Sequence, residues 1–583
     1  MTRGGSARRA ARAASCAVAV LAVAAPALGG PLPPARGVVF VDVDRDGARD
    51  DGEPGAARVV VQRGAVLAFT DDDGRYALPA AAADDGPVFV TRPSGFDCAR
   101  WYREGGGDFA LVARDAARAS GVFVHLSDAH VTDRASDLAR LAVPAPIAAM
   151  PRWLAGQAML LLLRGQHGAG VTSGAIADAL VRAEYGDGAR RSASAATTVG
   201  SWVHRLAALG DGASGDAEGE GAPPGIDPVR DFRASLREIA RLAPDFVVST
   251  GDLVLESNEV DGETAGRWLD FYLRETRATG LAFHETIGNN EIVGIGLDPV
   301  DPAAPGFGKA AFRARFGPTA YAFDRGELHF VALDTHRARS ASGDDWSFTA
   351  MEPRVRAWLS ADLAAHAGSA IVVLNHEPFA SDPSWPLALR LAPTVEDADW
   401  IGRAGVAYTL TGHLHASGSS VDAHEHGSVR ATQHVSTGAL SGARWVFPAD
   451  AAPRGYRLVQ MRGRELYSAW KRTGEPLVAF VSPPDRAAFA TRPPAADPAA
   501  IVVVAADRAG PFAAVELWRG EERVALEAWS PYFFAARDPA TGATGATGAA
   551  EATRGGDGSG AGLRVVARRA NGEVVARELA PAR

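Results

Sequence analysis

The sequence predicts a multidomain protein in which a central α/β domain is flanked by two β-sandwich domains. The first observation is length, since 583 residues correspond to about three to five domains at roughly 100–200 residues each. The second is an alternation of apolar strands and amphipathic helices through the middle of the chain, which is typical of an α/β domain. The third is a pattern of short strand-like runs near both ends, separated by Gly, Asp and Pro.

The composition is that of an ordinary globular protein, with 47% hydrophobic and 22% charged residues, which excludes a largely disordered chain. The formal net charge is −9, so no overall field favours nucleic acid, and no nucleic-acid-binding patch is evident. The sequence leaves protein partners open.

The first thirty residues have the pattern of a signal peptide. Four arginines within the first twelve residues precede the apolar run Cys16–Leu28, and Ala25 and Ala27 offer a small-residue cleavage site. The run is shorter than the roughly 20 apolar residues that cross a bilayer, which favours a signal peptide over a membrane anchor. We therefore expect a bacterial periplasmic or secreted protein with no transmembrane helix in the mature chain. Its one remaining cysteine, Cys98, cannot form an intramolecular disulfide.

Residues 36–96 are predicted to form a small β-sandwich with strands at Val38–Val43, Arg58–Gln62 and Pro87–Thr91. The loop after the first strand has oxygen-bearing residues at the spacing of a calcium loop, with Gly47 at the sharp turn. The predicted calcium ligands are Asp42, Asp44, Asp46, the backbone of Ala48, Asp50 and Glu53. The alternative is an ordinary acidic turn, and flanking strands argue against a true EF-hand. The region resembles the transthyretin-like and SdrD-B-like sandwiches of exported proteins.

Residues 119–478 are predicted to form the central α/β domain. Its helices are expected at Phe232–Leu242, Asp261–Thr276 and Arg354–Ala365. Its strands are expected at Val122–Leu126, Phe246–Thr250, Leu281–Thr286, Leu328–Leu333, Ile371–Leu374 and Val406–Thr411. Residues 133–225 are far longer than one crossover needs, so we interpret them as a helical insertion and linker, and the sequence does not decide whether they form a lid.

Residues 479–583 are predicted to form a second β-sandwich. Its strands are expected at Ile501–Ala505, Ala513–Leu517, Arg523–Leu526 and Leu563–Ala567, and residues 540–562 are of low complexity. The segments Val515–Trp518 and Ser530–Phe533 resemble segments of bacterial Ig-like domains.

Five polar clusters in the central domain each follow or flank a predicted strand. They are Asp128-Ala129-His130, Gly251-Asp252, Gly288-Asn289-Asn290-Glu291, Asn375-His376-Glu377-Pro378 and Gly412-His413-Leu414-His415. Loops at the carboxyl ends of parallel strands converge on one crevice. Carboxylate, amide and imidazole donors together suit divalent or trivalent transition metals such as Mn, Fe or Zn. The clusters offer enough donors for two ions, which can acidify a water and clamp a phosphoryl centre.

The ordered clusters resemble the calcineurin-like metallophosphoesterases, whose pattern is D-x-H, G-D, G-N-H-[DE], a lone H and G-H-x-H. The resemblance covers the middle domain and implies an α-β-β-α sandwich. It implies one ion held by Asp128, His130 and His415, a second held by Asn289, His376 and His413, and Asp252 as the bridge. The flanking β regions look like those of a bacterial subfamily with extra domains at both ends.

The chain departs from this pattern at two positions. Leu255 stands where purple acid phosphatases have a tyrosine ligand, which disfavours that branch. Asn290 replaces the family's third-block His, which with the following acid, here Glu291, serves the leaving-group oxygen. An amide can donate a hydrogen bond but has no proton to give at neutral pH. Asn290 and Glu291 are therefore the predicted catalytic residues. Because Asn290 cannot act as a general acid, His336 is the candidate for a substitute acid.

The resemblance implies an exported dimetal phosphoesterase that hydrolyses phosphomonoesters or phosphodiesters by attack of a metal-bound hydroxide. One alternative is a pseudoenzyme that keeps its metals and binds a phosphorylated ligand with weak turnover. Another is a surface adhesion or carbohydrate-binding protein, which the two β regions motivate. The sequence leaves the natural substrate and the oligomeric state open.

Overall fold

A computed structural model describes residues 31–82, 86–114, 120–134, 228–380 without 341 and 344, 394–423 without 397, 431–441, 454–481, 501–536 and 563–578. The predicted signal peptide, nearly all of the predicted insertion and the low-complexity segment lie outside these residues. Among the helices that are described, none has the length and apolar character needed to cross a membrane.

The amino-terminal strands form two four-stranded sheets around one core. The strands are β1 Ala35–Val41, β2 Val60–Arg63, β3 Val66–Phe69, β4 Arg75–Leu78, β5 Val88–Val90, β6 Phe96–Asp97, β7 Tyr102–Arg103 and β8 Phe109–Ala113. Their orders are β4-β1-β8-β6 and β3-β2-β5-β7. Buried residues of both sheets, including Val39, Val61 and Phe109, make up the core. The sheets continue beyond the predicted end at residue 96, because β8 pairs in parallel with β1.

The central region contains a five-stranded and a six-stranded sheet, with orders β11-β10-β9-β20-β21 and β12-β13-β16-β17-β19-β18. The strands are β9 Val122–Leu126, β10 Val247–Thr250, β11 Phe283–Thr286, β12 Tyr321–Arg325, β13 Leu328–Ala332, β14 Arg337–Ala338, β15 Trp346–Ser347, β16 Ala370–Leu374, β17 Val406–Thr411, β18 Gly418–Ala423, β19 Ala431–Ser436, β20 Gly455–Arg462 and β21 Glu465–Arg472. Strands β9, β10 and β11 run parallel to one another, as do β13, β16 and β17.

Helices and sheets pack in layers. The helices are α1 Pro228–Leu242, α2 Gly262–Arg277, α3 Ala310–Phe316, α4 Pro353–Ala365 and α5 Trp400–Ala404. Phe232, Leu236 and Ile239 recur at helical spacing along α1, and they are buried in one cluster with residues of β9 and β10. Asp261 caps α2 by accepting a 2.7 Å hydrogen bond from the N–H of Thr264. A second cluster joins the two sheets to one another and to α4 and α5.

The carboxyl-terminal strands form two more four-stranded sheets, β22-β23-β27-β26 and β25-β24-β28-β29. The strands are β22 Leu477–Val481, β23 Ile501–Ala506, β24 Ala514–Arg519, β25 Glu522–Val524, β26 Glu527–Ala528, β27 Phe533–Ala536, β28 Leu563–Arg568 and β29 Val574–Glu578. They share a core that includes Val503, Leu517 and Val565. The opposite face of β23 contributes Val502 and Val504 to the central cluster, so these sheets pack against the central region.

Candidate metal centre

The predicted metal ligands all follow the carboxyl ends of parallel strands. Asp128 and His130 follow β9, Asp252 follows β10 and Asn289 follows β11, all from the five-stranded sheet. His376 follows β16, and His413 and His415 follow β17 of the six-stranded sheet. Loops from both sheets therefore face one another across the same edge, and each sheet supplies part of the centre.

Five of these residues have backbone in the left-handed region. Among the non-glycine residues that the structure describes, eight have positive φ, and the five are Asp128 (55°), His130 (45°), Asp252 (50°), His413 (63°) and His415 (53°). Such conformations cost energy for residues with a Cβ and cluster at functional sites. Here they turn the side chains of short loops toward a common point.

Asp128, His130 and His415 form the first group, with ligand atoms within 4.8 Å of one another. The Nε2 atoms of His130 and His415 lie 3.0 Å apart. His415 Nε2 also lies 3.2 Å from Asp128 Oδ1. The backbone N–H of His413 donates to Asp128 Oδ2 at 3.1 Å, which ties the first group to the loop that also carries the second.

Asp252, His376 and His413 form the second group. His376 Nε2 lies 3.2 Å from Asp252 Oδ1 and 3.2 Å from His413 Nδ1. The amide oxygen of Asn289 lies 3.1 Å from both of these imidazole nitrogens. The group therefore presents two imidazole nitrogens, a carboxylate and an amide oxygen to one point.

Asp252 lies between the two groups. Its Oδ1 contacts His376, and its Oδ2 is 3.9 Å from His130 Nε2. The side chain is almost completely buried, and its Oδ1 also accepts a 2.9 Å hydrogen bond from the backbone N–H of Asn290. Asp252 thus has one carboxylate oxygen toward each group.

The electrostatics of the buried side chains fit cations at both points. Burial alone would raise the pKa of Asp252, but His376 and His130 outweigh it and hold this pKa well below the usual range. Burial and the neighbouring His376 lower the pKa of His413 to about 4, so this imidazole is neutral and can ligate. His376 Nδ1–H donates to the carbonyl of Thr250 at 2.7 Å, which orients Nε2 toward the centre. Buried acids and imidazoles of this density are stable where they are paired or bind metal, so the residues fit two ions.

Two glycines make the loops possible. A Cβ at Gly412 would collide with the side chains of Ser127 and Asp128. A Cβ at Gly251 would lie 2.6 Å from His376 Nδ1, and Gly251 also has a φ of +90°. Larger residues at either position would separate the loops that carry the ligands.

Asn290 and Glu291 are fully buried and contact residues of both candidate groups. Asn290 Nδ2 lies 3.0 Å from His130 Nδ1, and Asn290 Oδ1 accepts a 2.9 Å hydrogen bond from Asn289 Nδ2. Glu291 accepts hydrogen bonds from the backbone N–H groups of Asp252, Val254 and Gly288 at 2.8–3.1 Å. Burial and the charge of Asp252 raise the pKa of Glu291 to about 8. Both side chains hold ligand-bearing loops in place.

His336 is fully buried between two carboxylates. Its Nε2 lies 2.9 Å from Glu377 Oε1, and its Nδ1 lies 3.3 Å from Asp334 Oδ1. Both ring nitrogens are therefore engaged with carboxylates. Sequence reasoning missed Lys309 and Asp334, which complete this arrangement, although the rarity of lysine in the chain was a usable signal.

The predicted calcium residues form two groups with ligand atoms within 4.8 Å, namely Asp42, Asp44 and Glu53, and Asp44, Asp46 and Asp50. Asp42 Oδ1 and Oδ2 accept hydrogen bonds from the N–H groups of Arg45 and Gly47 at 2.7 and 3.0 Å. Gly47 has a φ of +83°, as a sharp turn at this position requires. The structure thus folds the acidic residues onto one loop.

Three solved structures are similar to part of the chain. They are a dimetal phosphatase from Danio rerio (14% identity, 42% of this chain and 87% of that chain, TM-score 0.30), a purple acid phosphatase from yellow lupin seeds (14%, 44% and 49%, 0.31) and a phosphopantetheinyl hydrolase from Mycobacterium tuberculosis (14%, 34% and 83%, 0.22). No protein-family model matches the sequence, and no curated protein does. At these identities and TM-scores, the matches carry no argument about function.

Proposed function

We propose that this protein is an exported dimetal phosphoesterase that hydrolyses phosphate monoesters or diesters. The single observation that carries the proposal is the position of Asp252, with one carboxylate oxygen toward each of two buried ligand groups. A paired site of imidazole, carboxylate and amide donors suits Mn, Fe or Zn. Leu255, in place of a tyrosine ligand, disfavours the purple acid phosphatase chemistry.

Two ions held by these residues would supply an acidified water and neutralise the charge of a phosphoryl group. The chain's own residues hold the donors at fixed positions. Asp252 sets the spacing between the two groups, and the Thr250 carbonyl fixes the orientation of His376. Asn290 contacts both His130 and Asn289, one residue from each group, and so fixes the groups relative to each other.

Turnover of aryl phosphate mono- and diesters, with Mn²⁺, Fe²⁺ or Zn²⁺ supplied, tests this proposal. We expect two bound ions per chain and hydrolysis that a chelator abolishes. Two bound ions without turnover of any ester would reject the enzyme and favour a metal-binding protein for phosphorylated ligands. Asn290 favours this metal-binding alternative, because its amide has no proton to give to a leaving group.

We also propose that the acidic loop Asp42–Glu53 binds calcium. Its support is the register of carboxylates and Gly47, together with the two groups of converging oxygens. Calcium at a hundredfold excess over its dissociation constant should stabilise the amino-terminal sheets by about 2.7 kcal/mol, which is measured as a rise in melting temperature. Asp46→Ala and Glu53→Ala should each abolish this rise. Asp72→Ala, at an exposed acid outside the loop, is the matched control. Equal melting of wild type and loop variants in saturating calcium would reject the site.

Export is proposed from the basic and apolar pattern of residues 1–30. Amino-terminal sequencing of the protein from bacterial periplasm or medium should give a start shortly after Ala27. A protein that keeps its first thirty residues in the cytoplasm would contradict this proposal.

A further inference from the structure

Lysine is almost absent from this chain. Of 60 basic residues, only Lys309 and Lys471 are lysines. Both are buried, with 4% and 0% of their surface exposed, and both are ion-paired. An ammonium is compact and has three rotatable donors, whereas a guanidinium is a wide planar fork. A lysine in a chain that otherwise uses arginine therefore indicates a site that an arginine would not fit.

The ammonium of Lys309 has three oxygen acceptors. Its Nζ donates to Asp334 Oδ2 at 2.7 Å, to Glu352 Oε1 at 2.9 Å and to the backbone carbonyl of His336. These acceptors come from the segment after β13 and from the residue before α4. Lys309, immediately before α3, thus fixes the segment Asp334–His336 through both a side chain and the backbone.

This segment in turn holds Glu377, the neighbour of the metal-ligand candidate His376. His336 lies between Asp334 and Glu377, with its Nε2 2.9 Å from Glu377 Oε1. Thr335 Oγ1 donates to the other oxygen, Glu377 Oε2, at 2.7 Å. Asn375 Nδ2 donates to the backbone carbonyl of Glu377 at 2.8 Å. Both carboxylate oxygens and the backbone carbonyl of Glu377 are therefore held.

The arrangement joins two strand ends that already lie side by side. β13 and β16 pair in parallel, with Ala332 opposite Leu374, so Asp334–His336 and Asn375–Glu377 extend from neighbouring strands. Asp334, His336 and Glu377 are all completely buried. A buried carboxylate is tolerated only when its partners are in place, so loss of one partner forces the others to move.

We propose that Lys309 is a positioning residue for His376, acting through Asp334, His336 and Glu377. The inference rests on the metal centre of the proposed function and deepens it. Lys309 holds the segment that contacts Glu377, the residue next to His376, while the Thr250 carbonyl accepts a hydrogen bond from Nδ1 of the His376 ring. Partners of metal ligands typically contribute 10–100-fold to metal affinity.

Titration of the metal-free full-length protein with Co²⁺, followed by the visible absorption of the bound ion, tests the proposal. Lys309→Met should weaken one of the two Co²⁺ sites by about 10–100-fold and change its absorption band, because His376 is displaced. Lys471→Met is the matched control, since it removes an equally buried lysine that pairs with Glu238 and with carbonyls of Arg472 and Glu475. The control should lower the melting temperature but leave both Co²⁺ affinities and the spectrum unchanged. Identical Co²⁺ binding by the two variants would overturn the proposal.

A milder pair of variants covers the case in which Lys309→Met does not fold. Thr335→Val keeps the side-chain volume and removes the hydroxyl, whose shortest hydrogen bond is the one to Glu377 at 2.7 Å and whose contacts with Phe348 O and Asn375 Oδ1 are longer, at 3.3 Å. Thr335→Ser keeps the hydroxyl. We expect several-fold weaker Co²⁺ binding at one site in Thr335→Val and recovery of wild-type affinity in Thr335→Ser. Wild-type binding in Thr335→Val would overturn the proposal.

The wild-type titration separates this inference from the proposed function. Two Co²⁺ sites without turnover of phosphate esters would count against the phosphoesterase and leave the positioning role standing. Two sites and turnover, with Co²⁺ binding unchanged in Lys309→Met or Thr335→Val, would reject the positioning role alone. A wild type that binds no Co²⁺ would reject both.

Discussion

At the scale of single residues, Asp252 is the side chain that contacts both ligand groups. Asp252→Asn keeps the shape but removes the charge that holds His376 and His130 toward it. We expect loss of bound metal and a drop in turnover of at least about 100-fold. Metal content by elemental analysis, with turnover of an aryl phosphate, measures both. Asp270→Asn, at a surface ion pair with Arg315, is the control and should bind two ions.

A second prediction at the residue scale concerns Asn290 and the leaving group. Because an amide gives no proton to a departing oxygen, turnover should depend steeply on the pKa of the leaving group, with aryl phosphates cleaved far faster than alkyl phosphates. A general acid typically contributes about 10²–10⁴-fold, so the expected slope is large. Rates over a series of substituted phenyl and alkyl phosphates measure it. A flat dependence in the wild type would mean that another group supplies the proton.

The burial of His336 bears on that outcome. Burial alone would lower the pKa of His336, but Glu377 and Asp334 raise it to about 9. Its ring is completely buried, and both nitrogens face carboxylates. The structure therefore gives His336 a role in holding Glu377, and the substitute-acid hypothesis for this residue finds no support in its contacts.

At the scale of elements, Gly412 decides how closely the loop after β17 approaches the loop after β9. Gly412→Ala would place a methyl group against Ser127 and Asp128 and push the two loops apart. We expect weaker metal binding at the first group, with destabilisation of about 1–3 kcal/mol from overpacking. Gly368→Ala is the control, because a Cβ there meets no neighbouring atom within 4 Å. Equal metal affinity in the two variants would contradict this prediction.

The strands that carry the site could be predicted from apolar runs alone. Val122–Leu126 and Val406–Thr411 have the same bounds in the structure as in the sequence prediction, and β10, β11 and β16 differ from it by a few residues. Apart from β11, which is half-buried on one face, these strands are buried on both faces, so their sequences are largely apolar runs followed by a sharp polar break. The same break places the ligand residues at strand ends, which is why they could be picked out.

The hairpin of β20 and β21 could not be predicted in this way. All but the last two residues of β20 are buried, and Arg457 and Gln460 are among them. Arg457 Nε donates to the carbonyl of Ser436 at 2.8 Å, and Gln460 Nε2 donates to that of Met461 at 2.9 Å. Buried polar residues with such partners interrupt the apolar pattern. The contacts of Lys309 could not be predicted either, because the side chains that accept its hydrogen bonds lie 25 and 43 residues further along the sequence.

At the scale of the whole molecule, the amino-terminal sheets are joined to the central region by a buried polar junction. Gln62 of β2 donates to Asp362 Oδ1 at 2.8 Å and accepts a 2.8 Å hydrogen bond from Trp358 Nε1, both on α4. Asp362 Oδ2 in turn contacts His329 Nε2 of β13 at 2.8 Å. The amino-terminal sheets therefore stabilise the central six-stranded sheet through side chains that water does not reach.

Gln62→Leu tests this junction, because it removes the hydrogen bond that Asp362 Oδ1 accepts and the acceptor of the Trp358 Nε1–H. We expect the central region to lose about 1–3 kcal/mol for each unsatisfied group, measured as a lower midpoint of thermal unfolding by calorimetry. Gln433→Leu is the control, since Gln433 makes an exposed hydrogen bond to Ser419 at a distance from the junction. A midpoint as high as that of the control would mean that the two regions unfold independently.

His329 gives the junction a pH dependence of defined sign. Burial alone would lower the pKa of His329, but the carboxylates of Asp362 and Asp324 raise it to about 9. The folded pKa lies above the unfolded value of 6.5, so the contribution to stability is complete below pH 6.5 and is lost as pH rises through about 9. We expect this contribution to be about 3 kcal/mol, given the near-complete burial of the ring.

His336 also has a raised pKa, so its contribution to stability is lost over the same pH range. The contribution of His329 is therefore measured as the difference between the wild type and His329→Gln. Unfolding midpoints of wild type and His329→Gln, measured from pH 6 to pH 10, should converge toward the alkaline end. Parallel curves would show that His329 is neutral in the folded protein.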